Sequence, residues 1–373
     1  MKNLLSVLAG CLILFATACS NNKTTNESPY KGKMDECMTT LLQTREAKSG
    51  YWTDAGWWNS ANLLTAVIRY ADVSGQKDKF APIIRDVFEK TRKFPIYNDK
   101  GEVQRMCENY INDFYDDEAW WALAWIEAYK LTGDKNYLKM AQTIFGDMTT
   151  GWSDDVHGGG IFWKKNPYEY KNSIANNLFA LTAIRLYKET NDKQYAEWFE
   201  KEVNWYMQTG MYNKEINIIE DGLDGKTGKP NTGGHYTYNQ GVAIAVLTEM
   251  YLYKNDKQYL KLAEDLAQSA ITQRMITPSG ILKEMNTGVA DSNDGVQFKG
   301  IFMRHLSFLY RVTNNKQYKD FMLKNADSII TNDYDPASRS FGCYWYGPFH
   351  KVKTAANGCA LECVIEAHAM SIE

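Results

Sequence analysis

The residues best suited to chemistry in this chain are two adjacent aspartates, Asp116 and Asp117, in the segment YINDFYDDEAWWALAW (110–125). Breaking the acetal bond between two sugars takes such a pair. One ionised carboxylate stabilises or attacks the anomeric carbon, and one protonated carboxyl protonates the departing oxygen. Placed side by side, two carboxylates repel, which raises one pKa and keeps a proton on the site near neutral pH. The competing role is structural: acidic residues at a helix start cap it and pair with its dipole. A retaining mechanism needs carboxyl groups roughly 5–5.5 Å apart, whereas successive residues on a regular helix diverge by about 100°. Both can face one sugar only at the frayed start of the helix or just before it. There the helix terminus favours an ionised Asp and aromatic surroundings favour a protonated one.

The elements that must hold this pair are legible from a repeat. YKLTGDKNYLKMA (129–141), YKETNDKQYAEWF (187–199), YLYKNDKQYLKLA (251–263) and YRVTNNKQYKDFM (310–322) align without gaps, and a looser copy starts at Tyr70. A period of this size marks one structural unit used many times. In each copy a nearly all-apolar helix ends in Tyr, a short Gly/Asn/Asp turn follows, and a second helix starts at Lys-x-Tyr. The first helices of the pairs (60–70, 116–129, 172–187, 239–251, 298–310 and 357–370) are apolar on most faces, the mark of a buried helix. The second helices are amphipathic. With an initial helix near 34–46, six buried helices alternate with six amphipathic ones. This predicts an all-α fold, an (α/α)6 barrel, with an open solenoid of helix pairs as the alternative. Six pairs and the lack of a polar capping face favour closure. The loops before the inner helices are long and carry Gly, Trp, Asp and Asn. They lie at one end of the ring together with Asp116 and Asp117, which makes that end the site face.

Composition narrows the function. The chain has 373 residues and a formal charge of −3, which gives no electrostatic reason to expect nucleic acid. Its 11 Trp and 24 Tyr suit sugar faces and also fill cores. Residues 1–19 read as a lipoprotein signal peptide. Lys2 is followed by an apolar run too short to span a bilayer, and Ala16-Thr17-Ala18-Cys19 resembles a cleavage box in which Cys19 becomes lipidated. Residues 20–33 read as a flexible tether and 34–373 as one catalytic domain. Expected from this are an outer-membrane lipoprotein, facing the periplasm or the cell surface, membrane contact only through the lipid, and a monomer. Five further cysteines, Cys37, Cys107, Cys343, Cys359 and Cys363, show no disulfide framework. Neither Asp221–Gly225 nor Asp291–Gly295 continues into a calcium loop, and the histidines show no ligand spacing, so no metal and no cofactor are expected.

The residues also resemble a known family, the α-1,6-mannanases of glycoside hydrolase family 76. The likeness covers essentially the whole mature chain. It rests on YDDEAWW (115–121), GGGIFWK (158–164), NNLF (176–179), TYNQG (237–241) and FKGIFMR (298–304). It implies an (α/α)6 barrel that hydrolyses α-1,6-mannosidic backbones of α-mannan with retention, and endo action. It implies Asp116 as nucleophile and Asp117 as general acid/base. Around the pair, Tyr115 belongs to the motif. Trp57, Trp58, Trp163, Tyr238 and Trp345 have rings that stack on mannose or pack in the core. Asn176, Asn239 and Gln240 have amides for sugar hydroxyls or for capping. Asp221, in a Gly-rich loop, binds a hydroxyl or makes a turn. Two other classes compete: another toroid glycosidase or a lyase, for which the loops carry few Arg and Lys, and a non-catalytic lipid-anchored glycan binder, which needs no paired carboxylates.

Overall fold

The computed structural model describes residues 28–97, 100, 102–166, 169–231, 234–285 and 288–373. The leader, Cys19 and most of the tether lie outside them. The described residues form twelve α-helices: α1 (Lys31–Gln43), α2 (Trp57–Val73), α3 (Lys77–Thr91), α4 (Tyr115–Thr132), α5 (Lys135–Met148), α6 (Ser173–Thr190), α7 (Lys193–Tyr206), α8 (Thr237–Lys254), α9 (Lys257–Ser269), α10 (Gly295–Thr313), α11 (Lys316–Asn332) and α12 (Thr354–Ile372).

The repeated turn is built the same way in its four close copies. The carbonyls of Tyr129, Tyr187, Tyr251 and Tyr310 accept the N–H of Gly133, Asn191, Asn255 and Asn314, each at 2.7 Å. Those four acceptor-closing residues sit at φ 79, 57, 54 and 53°, the left-handed region that Gly and Asn tolerate. The next residue, Asp134, Asp192, Asp256 or Asn315, then caps the following helix with its side chain.

The even-numbered helices form the inner layer. Each packs on the next, and α12 returns to pack on α2 as well as on α10. The ring is therefore closed, and the solenoid alternative is excluded. Close approach uses glycines on inner helices. A Cβ on Gly241 would meet the Phe302 backbone of α10 at 2.6 Å, and one on Gly300 would meet the Cys359 carbonyl of α12 at 2.5 Å. The odd-numbered helices lie outside and bury one face, as with Phe80, Ile84 and Val87 of α3. The helix expected near 34–46 starts earlier, at Lys31, inside the stretch read as tether. Tyr30 explains the difference: it is 5% exposed, and its hydroxyl donates to Asp327 at 3.0 Å, docking a segment that composition alone marked as polar. All five described cysteines are buried and free.

The two ends of the ring differ. At the end where the inner helices finish, a cavity of about 530 Å³ is walled by six acids and six bases. Adjacent inner helices are tied across it by Arg69–Glu366–Arg311, Arg304–Glu362, Arg185–Glu127 and Lys188–Glu249. These acids and bases pair with one another and so brace the inner helices. At the other end lie the long loops, including a hairpin of β1 (Lys93–Tyr97) and β2 (Val103–Glu108) ahead of α4.

A recurring clamp fixes those loops. On five inner helices the fourth residue is polar, and its side chain holds the backbone of the preceding loop. Ser60 holds Trp52 and Glu118 holds Asn112. Asn176 holds Ile161, Gln240 holds Ile219 and Asn357 holds Phe341. In α10 the fourth residue is Phe298, whose ring stacks on Tyr238 at 3.9 Å. There the clamp gives way to a wall of the site.

Candidate active site

Asp116 and Asp117 are the second and third residues of α4. The N-cap is Phe114, in an extended conformation and without a side-chain acceptor, so the first-turn amides are open to the carboxylates that follow. The chain enters α4 against the Gly-rich loop. The Tyr115 N–H donates to the Trp163 carbonyl at 3.0 Å, and the Lys165 N–H to the Asp113 carbonyl at 2.9 Å. This pairing brings Trp163 over the first turn, where its Nε1 donates to Asp116 Oδ2 at 3.0 Å. The same loop also packs against Trp205 of α7, where Gly159 and Gly160 leave room by having no side chain. A Cβ on Gly160, at φ 81°, would fall 2.2 Å from the Trp205 ring.

The two carboxyls have different surroundings. Burial pushes Asp116 up from 3.8 to about 7, while Trp163 and the backbone N–H groups of Asp116 and Asp117 oppose the rise and nearby Asp294 adds to it. Asp117 is pushed well above its ordinary value by burial and by the Asp116 charge, with one opposing donor, Asn112, and a further push from Asp294. The Asn112 Nδ2 donates to Asp117 Oδ2 at 2.7 Å. Asp116 therefore ionises first and Asp117 keeps its proton. That is the split a nucleophile and a general acid need.

On one side of the pair stands Asp221. Its Oδ2 accepts from the Tyr170 hydroxyl at 2.7 Å and its Oδ1 from Asn239 Nδ2 at 3.2 Å, and burial raises its pKa. Tyr238 lies among these groups, its hydroxyl pushed well up by burial and by the charges of Asp221, Asp116 and Asp294. On the other side Trp58 donates from Nε1 to Asp294 Oδ1 at 2.9 Å and lies against Trp120 and Phe298. The walls are aromatic and the polar groups converge on the Asp pair, a surface matched to a neutral polyol ring.

The predicted residues divide accordingly. Asp116, Asp117, Trp58, Trp163, Asp221, Tyr238 and Asn239 come together. Trp57 is half-buried, with Phe94 of β1 stacked on it and Tyr110 and Trp121 behind. Its ring belongs mostly to the wall. Tyr115 is buried beneath the pair, packed on Gly151 with its hydroxyl 3.1 Å from Thr150 Oγ1.

Three of the expected sugar contacts are corrected. Trp345 is fully buried with the Lys299 ammonium over its ring at 4.5 Å, so it packs in the core and offers no face to a ligand. Asn176 and Gln240 are fully buried, and their amides are spent on Ile161 and Ile219 as loop clamps. The sequence reading missed Asn112, Tyr170 and Asp294. Asn112 stood within the quoted Asp motif, five residues before Asp117. Asp294 stood in a loop already placed on the site face. No spacing rule links either to the pair.

The geometry agrees with what comparison with known proteins finds. The sequence profile of glycosyl hydrolase family 76 matches residues 13–371. The mannan endo-1,6-alpha-mannosidase DCW1 of Candida albicans is 26% identical over 271 residues, covering 67% of this chain and 57% of that protein. The chain thus spans little more than half the length of this fungal relative. The α-1,6-mannanase GH76A of Salegentibacter sp. HEL1_6 superposes with a TM-score of 0.80 at 24% identity, over 92% of this chain and 100% of that one. A variant of that mannanase with two consecutive aspartates replaced by alanine, described as inactive, was solved with α-1,6-mannotetrose and superposes at 0.79. The family 76 mannosidase Bt3792 of Bacteroides thetaiotaomicron superposes at 0.76 with 18% identity, over 92% of this chain and 98% of that one.

Proposed function

The chain belongs to glycosyl hydrolase family 76, and on that footing we propose that it hydrolyses α-1,6-mannosidic linkages within mannan backbones, endo-acting and with retention. The observation that carries this reading is the split environment of two adjacent carboxyls at the open first turn of α4.

Asp116, steadied by Trp163, attacks the anomeric carbon of a bound mannose. The bond from that carbon to O6 of the next mannose breaks, and Asp117 gives its proton to the departing O6. The product is a mannosyl ester on Asp116. Asp117, now ionised, takes a proton from water as that water attacks the same carbon, and the ester bond returns to Asp116 as a carboxylate. Two inversions give net retention. Asp221, Asn239 and Tyr238 are placed to hold sugar hydroxyls, and the Trp58 ring to lie beside a mannose. The names of the Candida and Salegentibacter relatives support the α-1,6-mannan substrate. Reducing ends released from α-1,6-mannan, with the products sized, test the activity. Release by the parent but not by folded Asp116→Asn and Asp117→Asn supports it, and equal release by all three overturns it.

The same proposal places the protein in the outer membrane as a lipoprotein joined through Cys19, with α-mannan its only partner and the monomer its working form. Cys19→Ala should move the protein from membrane to soluble fractions, and retention of the variant in membranes would defeat the idea.

A further inference from the structure

We infer that Asn112 is the positioning residue of the general acid: it fixes which oxygen of Asp117 carries the proton delivered to the leaving group. The inference rests on the mannanase reading for its meaning, but not for its test.

The orientation of Asn112 is settled from both ends. Its Oδ1 accepts the Phe114 N–H at 2.8 Å. A backbone N–H can only donate, so the amide oxygen must face Phe114 and the Nδ2 must face Asp117. That Nδ2 donates to Asp117 Oδ2 at 2.7 Å. In a neutral carboxyl the carbonyl oxygen accepts a hydrogen bond better than the hydroxyl oxygen, so this contact makes Oδ2 the carbonyl oxygen. The proton of neutral Asp117 therefore resides on Oδ1, and the carboxyl cannot turn over without breaking the contact.

Asn112 is in turn held by the clamp of α4. Its backbone N–H donates to Glu118 Oε1 at 3.0 Å, and Lys165 Nζ reaches the same oxygen at 2.6 Å. Burial and the nearby Asp147 push the Glu118 carboxyl well above its ordinary value, against the opposing pull of Lys165. Both donors fall on Oε1, which fixes Glu118 as the acceptor that holds the Asn112 backbone. Elsewhere in the ring the clamp residue merely pins a loop; here the pinned residue carries the amide that aims the acid. Asn112 is 4% exposed, so its place is a packed one.

The groups that face Asp117 are few. Asp116 lies on its own helix and Asp294 at the start of α10, both raising its pKa, and Asn112 lowers it. Glu118, Lys165 and Asp147 stand behind Asn112. Tyr238 of α8 and Asp221 face Asp116 from the far side. Removing the Asn112 amide takes away the donor that stabilises the ionised form, so the Asp117 pKa must rise further.

The test uses the full chain with Asn112→Ala and Asn112→Ser. The serine hydroxyl can still accept from Phe114 but is too short to reach Asp117, so it keeps the loop if alanine does not fold. Titration of the Asp117 carboxyl followed by ¹³C NMR, without substrate, should move up by about one pH unit in either variant. In parallel, kcat on α-1,6-mannan should fall about 10–100-fold with KM nearly unchanged, and the alkaline limb of kcat/KM should move up with the titration. Glycosylation by an aryl mannoside with a good leaving group, which needs little protonation, should stay within a few-fold of the parent. An unmoved Asp117 titration in a folded variant overturns the inference whether or not the parent cuts mannan. A parent inactive on mannan, with the titration moved, overturns the substrate reading alone.

Discussion

Trp163 Nε1 donates to Asp116 Oδ2 at 3.0 Å, so the charge of the first carboxylate to ionise is steadied by a residue 47 positions along the chain. The indole opposes the burial that raises the Asp116 pKa. In Trp163→Phe that opposition is gone and the Asp116 pKa rises. The acidic limb of kcat/KM then moves to higher pH, and activity at pH 6 falls about tenfold for each unit of movement. A pH–rate profile checks it, and an unmoved limb would separate the indole from the charge on Asp116.

The parent profile itself should be bell-shaped. Activity rises as Asp116 ionises near 7 and falls as Asp117, held higher, loses its proton. The limbs belong to the coupled pair. A profile flat from acid to alkali in a stable protein would count against carboxylate catalysis.

Asp294 adds negative charge to both carboxyls. Asp294→Asn should therefore move both limbs to lower pH, by less in high salt, where screening has already weakened the charge. Opposite movement of the two limbs would show that Asp294 acts by some route other than its field.

The Asp pair should cost stability above neutral pH. The folded Asp116 pKa lies above its ordinary 3.8, so the folded state binds its proton more tightly than the unfolded chain. That contribution is fully present below 3.8 and lost as pH rises through about 7. Asp116→Asn, which has nothing to titrate, should melt higher than the parent at pH 8, with the gap closing towards pH 4. Melting curves at the two pH values decide it, and a gap of the same size at both would refute the linkage. The same variant should lose kcat by orders of magnitude, so the residue trades stability for activity.

Gly241 tests the ring. Its Cβ would strike the Phe302 backbone at 2.6 Å, so Gly241→Ala should destabilise by about 1–3 kcal/mol despite alanine's better helix propensity. A denaturant titration showing a gain instead would mean that α8 and α10 do not approach as described.

Much of this was legible in the sequence because the fold is periodic. The Tyr-to-Lys-x-Tyr turn recurs with the same cap chemistry, and all-apolar helices can only be inside, so the ring and its loop-bearing end followed. The Asp pair was legible because two charges beside aromatic residues stand out. What escaped was what depends on contacts across the ring. Asn176 and Gln240 look like sugar-binding amides in sequence, and their clamp role shows only when Ile161 and Ile219 are seen against them. Trp345 sits in a loop whose aromatic composition suggested a platform, but the chain folds it under Lys299. Asn112 and Asp294 carry no pattern at all, since one is aimed by its own turn and the other is carried in from α10.

The closing of the ring by α12 has a consequence in time. Synthesis runs from α1 onward, so the segment that completes the circumference, Thr354–Ile372, is made after every other wall is in place. Until it docks, α2 and α10 face each other across a gap with their apolar surfaces uncovered, and the cleft above them has no fixed floor. The same gap is an opening for a neighbour. An α12 supplied by a second copy fits it equally well, which makes exchange of this helix the natural route to misassembly when such chains fold in a crowd.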